Sequence, residues 1–264
     1  MDPASLEGRS YGPRQMRVAE VPVADFMAVS GDDPQRWKDT APPGFAAAAL
    51  FAVAPDLLDQ VSDRFVIHGD QTFSWHSPIR IGSLLEVTGT VSRVRQRAGA
   101  HFVVFEMEGK EEEGAPVLRG TSTFILSGES IPAHADFERP EPPHGYRGDP
   151  NPGQVAASRA QLVRYSAATR DWNPIHWDHD AAVAGGFPGV VVHGLLQLAW
   201  VLAAVTSEID GPRPLSSARA RFRNPMLPAR PADLEVVTEG DQATVTITDD
   251  QTEYLTAKTE LAHG

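Results

Sequence analysis

An α+β fold of two similar halves, each a buried helix wrapped by antiparallel strands, is what this 264-residue sequence predicts. Three observations carry that prediction. The segments at about 44–61 and 193–207 are alanine- and leucine-rich and read as buried helices. Each is followed by four runs rich in Val, Thr, Ile and Phe, separated by Gly, Pro or charged clusters, which read as strands. The two halves also match locally: Asp33-Pro34-Gln35-Arg36-Trp37 aligns with Asn173-Pro174-Ile175-His176-Trp177, Pro43-Gly44 with Pro188-Gly189, and Ser77-Pro78-Ile79 with Asn224-Pro225-Met226. The period is too long for a solenoid, so the economical reading is a duplicated unit.

Taken in order, residues 1 to about 15 read as loose. Gly8-Arg9-Ser10-Tyr11-Gly12 matches a nucleophile-elbow pattern, but neither the preceding strand nor the following helix that would expose its serine is predicted. The first buried helix contains Pro55, which is expected to kink or divide it. Strands follow at about 64–76, 84–97, 101–109 and 116–127, with Glu111-Glu112-Glu113-Gly114 as a solvated hairpin turn. Pro132, Pro140, Pro142, Pro143, Pro150 and Pro152 mark an extended linker, giving halves at 1–127 and 154–264 joined by 128–153. Ser158 and Gln161 form a capping box for a helix to about Thr169. Residues 171–178 read as irregular, with Asp178 placed to cap a short helix. Phe187-Pro188-Gly189 makes a turn before the second buried helix, and strands follow at about 216–224, 233–240, 243–249 and 253–261.

Composition excludes several classes of function. The net charge is -12, which disfavours nucleic acid and anionic lipid as partners. There are no cysteines, hence no disulfide framework, zinc–thiolate site or cysteine nucleophile, as suits a reducing cytoplasm. No apolar run reads as a membrane span, the helix at 193–207 being too short, and Met1-Asp2-Pro3 lacks the pattern of a signal peptide.

The chemistry concentrates at Asp171-Trp172-Asn173-Pro174-Ile175-His176. An acid, an amide and an imidazole lie around a proline that biases Asn173 toward extended backbone and so turns its neighbours toward one point. Asp171 and His176 suit the holding of one water and the movement of its protons; Asn173 suits the fixing of that water or of a carbonyl. His193-Gly194 opens the second buried helix, whose free N–H groups make an oxyanion site, with Gly194 permitting close approach. Together these residues read as a site that adds water to, or removes it from, a carbon–carbon double bond beside a carbonyl. The plainer alternatives are a turn built on Asn-Pro, with Asp171 as its cap and His176 at the surface. His176-Trp177-Asp178-His179 has metal-like spacing, but no second cluster completes a cage, and no metal is expected. The first half aligns Gly31 with Asp171 and Arg36 with His176, so one active site per chain is expected, in the second half, with the first supplying sheet pairing and part of a binding tunnel.

The stretch Tyr165–Asp178, followed by Phe187-Pro188-Gly189 and Val192-His193-Gly194, resembles the MaoC-like (R)-specific enoyl-CoA hydratase and 3-hydroxyacyl dehydratase family. The resemblance implies a double hot-dog fold with a degenerate first half. It implies a catalytic dyad of Asp171 and His176, with Asn173 and Gly194 at the substrate. It further implies an acyl-CoA or acyl-carrier-protein thioester as substrate, an (R)-3-hydroxyacyl product, and neither metal nor redox cofactor. Among Arg213, Arg219, Arg221, Arg223 and Arg230, it assigns Arg221 and Arg223 to the phosphates of the carrier; a solvated strand edge is the alternative. A homodimer is compatible with the fold. The rival functions are a hot-dog acyl thioesterase, a non-catalytic acyl-binding subunit, and a dehydratase or tailoring enzyme of polyketide metabolism.

Overall fold

The computed structural model describes residues 1–111, 114–129, 150–250 and 252–262. The first half consists of β1 (Ser10–Arg17), α1 (Glu20–Ser30), α2 (Ala46–Leu58), β2 (Arg64–Trp75), β3 (Leu84–Arg97), β4 (Ala100–Glu111) and β5 (Pro116–Glu129). The second repeats that order: β6 (Gln154–Val155), α3 (Arg159–Thr169), a short inserted α4 (His179–Ala184), α5 (Gly194–Thr206), then β7 (Leu215–Phe222), β8 (Ala232–Glu239), β9 (Gln242–Thr248) and β10 (Glu253–Leu261). Of the expected linker, residues 130–149 lie outside the described residues, as do Glu112 and Glu113 of the expected hairpin turn.

All ten strands form one sheet in the order β1-β3-β4-β5-β2-β7-β10-β9-β8-β6. Exchanging each strand for its counterpart in the other half returns the same order, so the sheet carries the duplication as a pseudo-twofold arrangement about the β2–β7 seam. That seam is antiparallel, from Asp70 opposite Arg221 to Ser74 opposite Ser217. The sheet curls around α2 and α5, whose Leu50, Val53, Leu196 and Val201 are fully buried. The helical run Pro43–Val61 is 19 residues long and apolar enough to cross a membrane by length and composition, a possibility the sequence reading had passed over. Here it is the core helix of the first half, apolar because strands cover it.

The sequence reading missed three elements, β1, α1 and the two-residue β6. In β1 only Tyr11 and Met16 are buried, so this edge strand shows no two-residue alternation to betray it. Helix α1 buries Val23, Phe26, Met27, Val29 and Ser30, but its exposed side carries Val21, Ala24 and Ala28, so no polar face sets it off in the sequence. It is the counterpart of α3, and Asp25 pairs with Arg164 across the two at 3.0 Å. Pro55 does not divide its helix; α2 runs through it to Leu58 before tightening into a 3-10 turn. The capping box at Ser158 and Gln161 and the Asp178 cap of α4 form as expected.

Two local features shape the site. Arg36, the counterpart of His176, donates from its guanidinium to the carbonyls of Thr206 and Ile209 at the C-terminal end of α5, and stacks on Trp37 at 4.6 Å. The first half thus uses that position to cap the helix on which the second half builds its site. In the β2–β5 ladder, His68 faces Phe124 and Asp70 faces Thr123, leaving Gly69 as an extra, bulged residue.

Candidate active site

Helix α3 ends at Arg170, whose left-handed backbone (φ 66°) turns the chain sharply, with its N–H bonded to the Ser166 carbonyl at 2.7 Å. That turn drives Asp171 inward. Asn173 is extended (φ -57°, ψ 121°), as a residue before proline should be, and Pro174–His176 then form one 3-10 turn. The turn brings His176 back toward Asp171. Both are buried, at 6% and 8% exposure, which removes the surface-residue alternative for this histidine.

An Asp171 carboxylate oxygen and one ring nitrogen each of His176 and His193 lie within 4.8 Å of one another. Two hydrogen bonds of about 2.8 Å through one water span such a gap. His176 Nδ1 lies 2.9 Å from the Val191 carbonyl, an acceptor only, so Nδ1 carries the proton and Nε2 is the bare base. The ring stacks on His193 at 3.7 Å between centroids and 23° between planes. His193 in turn meets Ser166 Oγ through Nε2 at 3.0 Å and packs against Tyr165. The sequence reading had favoured the backbone beside His193; its ring proves to be the fully buried shelf on which His176 lies.

Burial sets the protonation of the pair. It raises the Asp171 carboxyl to about 7, opposed by the Asn173 backbone N–H. It depresses His176 to about 4, opposed by the hydrogen bond to the Val191 carbonyl. His193 is held well below the usual histidine range, first by burial and then by His176. Near neutral pH the site therefore contains a neutral imidazole and a carboxyl group poised to exchange its proton.

Asp171 and His176 line a cavity of about 190 Å³. Its walls come from both halves: Phe51, Val66, His68 and Phe124 from the first, Asn173, Gly194, Gln197 and Phe222 from the second. A second recess, of about 400 Å³, runs past Asp171 and Asn173 toward the end of α2 and shares Phe51, Leu58 and Ile175 with the first. Asp171 thus stands where two spaces meet. Asn173 lines both, with its Oδ1 toward the Ile175 N–H at 3.4 Å. Gly194 and Leu195 open α5, where N–H groups have no intrahelical acceptor. A Cβ at Gly194 would sit 2.9 Å from the Phe222 ring, so close packing alone requires glycine there.

The two arginines divide. Arg223 lines the cavity and pairs with Glu253 at 3.1 Å. Arg221 does not reach it: with Arg219 it turns outward to Asp70, at 3.2 and 3.6 Å. Strand alternation accounts for this orientation, burying Ala218 and Ala220 and exposing Arg219 and Arg221. His68 and Gln197, which the sequence reading did not single out, both face the cavity. For Gln197 the signal was available, since it lies one turn beyond Gly194 in an otherwise apolar helix. For His68 it was not, because the bulge at Gly69 breaks the alternation.

Comparison with known proteins agrees with this architecture. Residues 144–260 match the MaoC like domain, and residues 8–119 match the FAS1-like, dehydratase domain region. The chain is 28% identical over 248 residues to 3-hydroxyacyl-thioester dehydratase X of Mycobacterium tuberculosis, covering 89% of this chain and 82% of that one. It is 26% identical over 217 residues to the peroxisomal multifunctional enzyme type 2 of Drosophila melanogaster, covering 74% of this chain but only 36% of that longer protein. A Mycobacterium tuberculosis protein solved with a double hotdog fold superposes with a TM-score of 0.65 at 13% identity, over 97% of this chain and 96% of that one. Residues 144–260 thus belong to the MaoC like domain family and residues 8–119 to the FAS1-like dehydratase region, in tandem on one continuous sheet of double hot-dog fold.

Proposed function

We propose that the protein hydrates 2-enoyl thioesters to (R)-3-hydroxyacyl thioesters and catalyses the reverse dehydration, with Asp171 and His176 as the catalytic residues. The observation that carries this reading is the buried carboxylate and bare imidazole, one water apart, at the wall of a mainly apolar cavity. In the hydration direction, His176 Nε2 and ionised Asp171 accept hydrogen bonds from one water over the β-carbon. As the C–O bond forms, Asp171 takes a proton from that water, and the electron pair of the double bond moves toward the thioester oxygen. The N–H groups opening α5 stabilise the enolate oxygen. The proton held by Asp171 then returns to the α-carbon from the same face, giving syn addition. A carboxyl with a pKa near 7 suits this exchange, because neither direction is strongly uphill.

The two adjoining spaces suit a long, thin substrate with its reacting carbons beside Asp171 and its two ends leading away. 3-Hydroxyacyl-thioester dehydratase X has the corresponding activity in its name, which supports the same substrate class here. The test is a panel of 2-enoyl-CoA substrates with chiral analysis of the product. Formation of (R)-3-hydroxyacyl-CoA is expected, and Asp171→Asn and His176→Ala should each slow it by orders of magnitude. Steady release of free thiol without hydroxyacyl product would instead identify a thioesterase.

A further inference from the structure

Two buried polar atoms in the cavity have no role in the water chemistry just described. His68 Nε2 and Gln197 Oε1 are both covered and without a hydrogen-bond partner. Both residues line the cavity that holds Asp171 and His176. They come from opposite halves of the chain. His68 reaches inward only because of the β2 bulge. From Phe73 and Gln71, both buried, alternation along β2 would turn residue 68 outward. The extra residue at Gly69 reverses the phase and sets His68 opposite Phe124 on the inner face. Gly69 is tightly enclosed there, since a Cβ would meet the Ile125 side chain at 3.0 Å. The His68 ring packs on Phe124 at 5.0 Å and Phe222 at 5.1 Å, and Phe222 in turn touches Gly194. Gln197 stands one turn along α5 from that glycine.

The neighbouring walls, Val66, Ile67, Phe124, Leu195 and Phe222, are apolar. An unsubstituted alkyl chain there would leave both polar atoms dry and unpaired, an arrangement that stable sites avoid. Gln197 Oε1 accepts only, and neutral His68 offers one donor and one acceptor nitrogen. A hydroxyl can accept from a protonated His68 Nε2 while donating its own proton to Gln197 Oε1, whereas a keto oxygen has no proton to give and leaves Gln197 Oε1 unpaired.

We propose that His68 and Gln197 recognise a hydroxyl group on the acyl chain beyond the β-carbon, so that the preferred substrates are hydroxylated 2-enoyl thioesters. This rests on the hydratase reading and adds a substrate class to it. Burial holds His68 near a pKa of about 4, so the ring meets its ligand uncharged.

The test compares kcat/KM for 2-enoyl-CoA substrates of equal length, unsubstituted or with one hydroxyl placed from the γ-carbon outward. The wild-type protein should favour one hydroxylated isomer by roughly ten- to a hundredfold. In His68→Phe, which keeps an aromatic ring between Phe124 and Phe222, and in Gln197→Met, that ratio should collapse toward one. The two variants report separately, so a failure of either to fold leaves the other to decide. A wild type that hydrates all isomers equally overturns this assignment and leaves the hydratase reading intact. Variants that lose equally on every substrate overturn it too, by placing both residues in the water chemistry. A protein that hydrates none of them sinks both readings.

Discussion

Replacing Asp171 by asparagine should make stability depend on pH in a way that reports directly on the buried carboxyl. In the folded protein this group ionises near pH 7; in the unfolded chain it ionises near the ordinary aspartate value of 3.8. Between those values the folded state holds the extra proton, so stability falls as pH rises through that window. At about 1.36 kcal/mol per pKa unit, the wild-type protein carries a penalty of about 1.7 kcal/mol at pH 5 and about 4.3 kcal/mol at pH 8. Asparagine does not titrate and escapes this penalty. The stability of Asp171→Asn relative to wild type should therefore improve by about 2.6 kcal/mol between pH 5 and pH 8. Urea unfolding at unit pH steps measures it; with a slope of about 3 kcal/mol per molar, the midpoints should diverge by ~0.9 M over that range. A constant difference between the two proteins across pH 5–8 would show that the carboxyl is not held protonated by burial, and the proposed proton exchange would lose its basis.

Four further outcomes are expected. His176→Ala and Asp171→Asn should each lower kcat by about 10²- to 10⁴-fold with little change in KM, read by loss of enoyl absorbance. The pH profile of kcat/KM should rise through an acidic limb near pH 7, as Asp171 loses its proton while His176 stays neutral, and that limb should vanish in Asp171→Asn. Gly194→Ala should distort the start of α5 against Phe222 and lower activity more than stability, as judged by assay and thermal unfolding on the same sample. Arg36→Met should remove the cap on the Thr206 and Ile209 carbonyls and cost about 2 kcal/mol, a fall in Tm of ~4–8 °C by scanning calorimetry.

The sequence made the second half more legible than the first, and the reason is physical. Asp171, Asn173, Pro174 and His176 lie within one turn, so a local spacing argument suffices to bring them together. Helices α2 and α5 announce themselves by continuous apolar character because strands cover them. The strand at Ser10–Arg17 does not, since an edge strand with two buried residues looks like a loop. Arg221 and Arg223 share one parity and were indistinguishable as a basic run; they part because β7 ends at Phe222, so Arg221 turns to Asp70 within the strand while Arg223, beyond it, lines the cavity. His68 depends on a single bulged glycine whose effect is felt only once β2 has paired with β5. The stack of His176 on His193 joins residues seventeen apart through a loop whose course no periodicity describes.

The most direct measurement is the stereochemistry of the reaction in D₂O, with a 2-enoyl-CoA substrate and NMR of the product. One deuterium at the α-carbon, delivered to the same face as the new hydroxyl of an (R)-3-hydroxyacyl thioester, is the predicted result. Anti addition, an (S)-hydroxyl, or undiminished product formation by the protein lacking both Asp171 and His176 would contradict a single water shared between those two side chains.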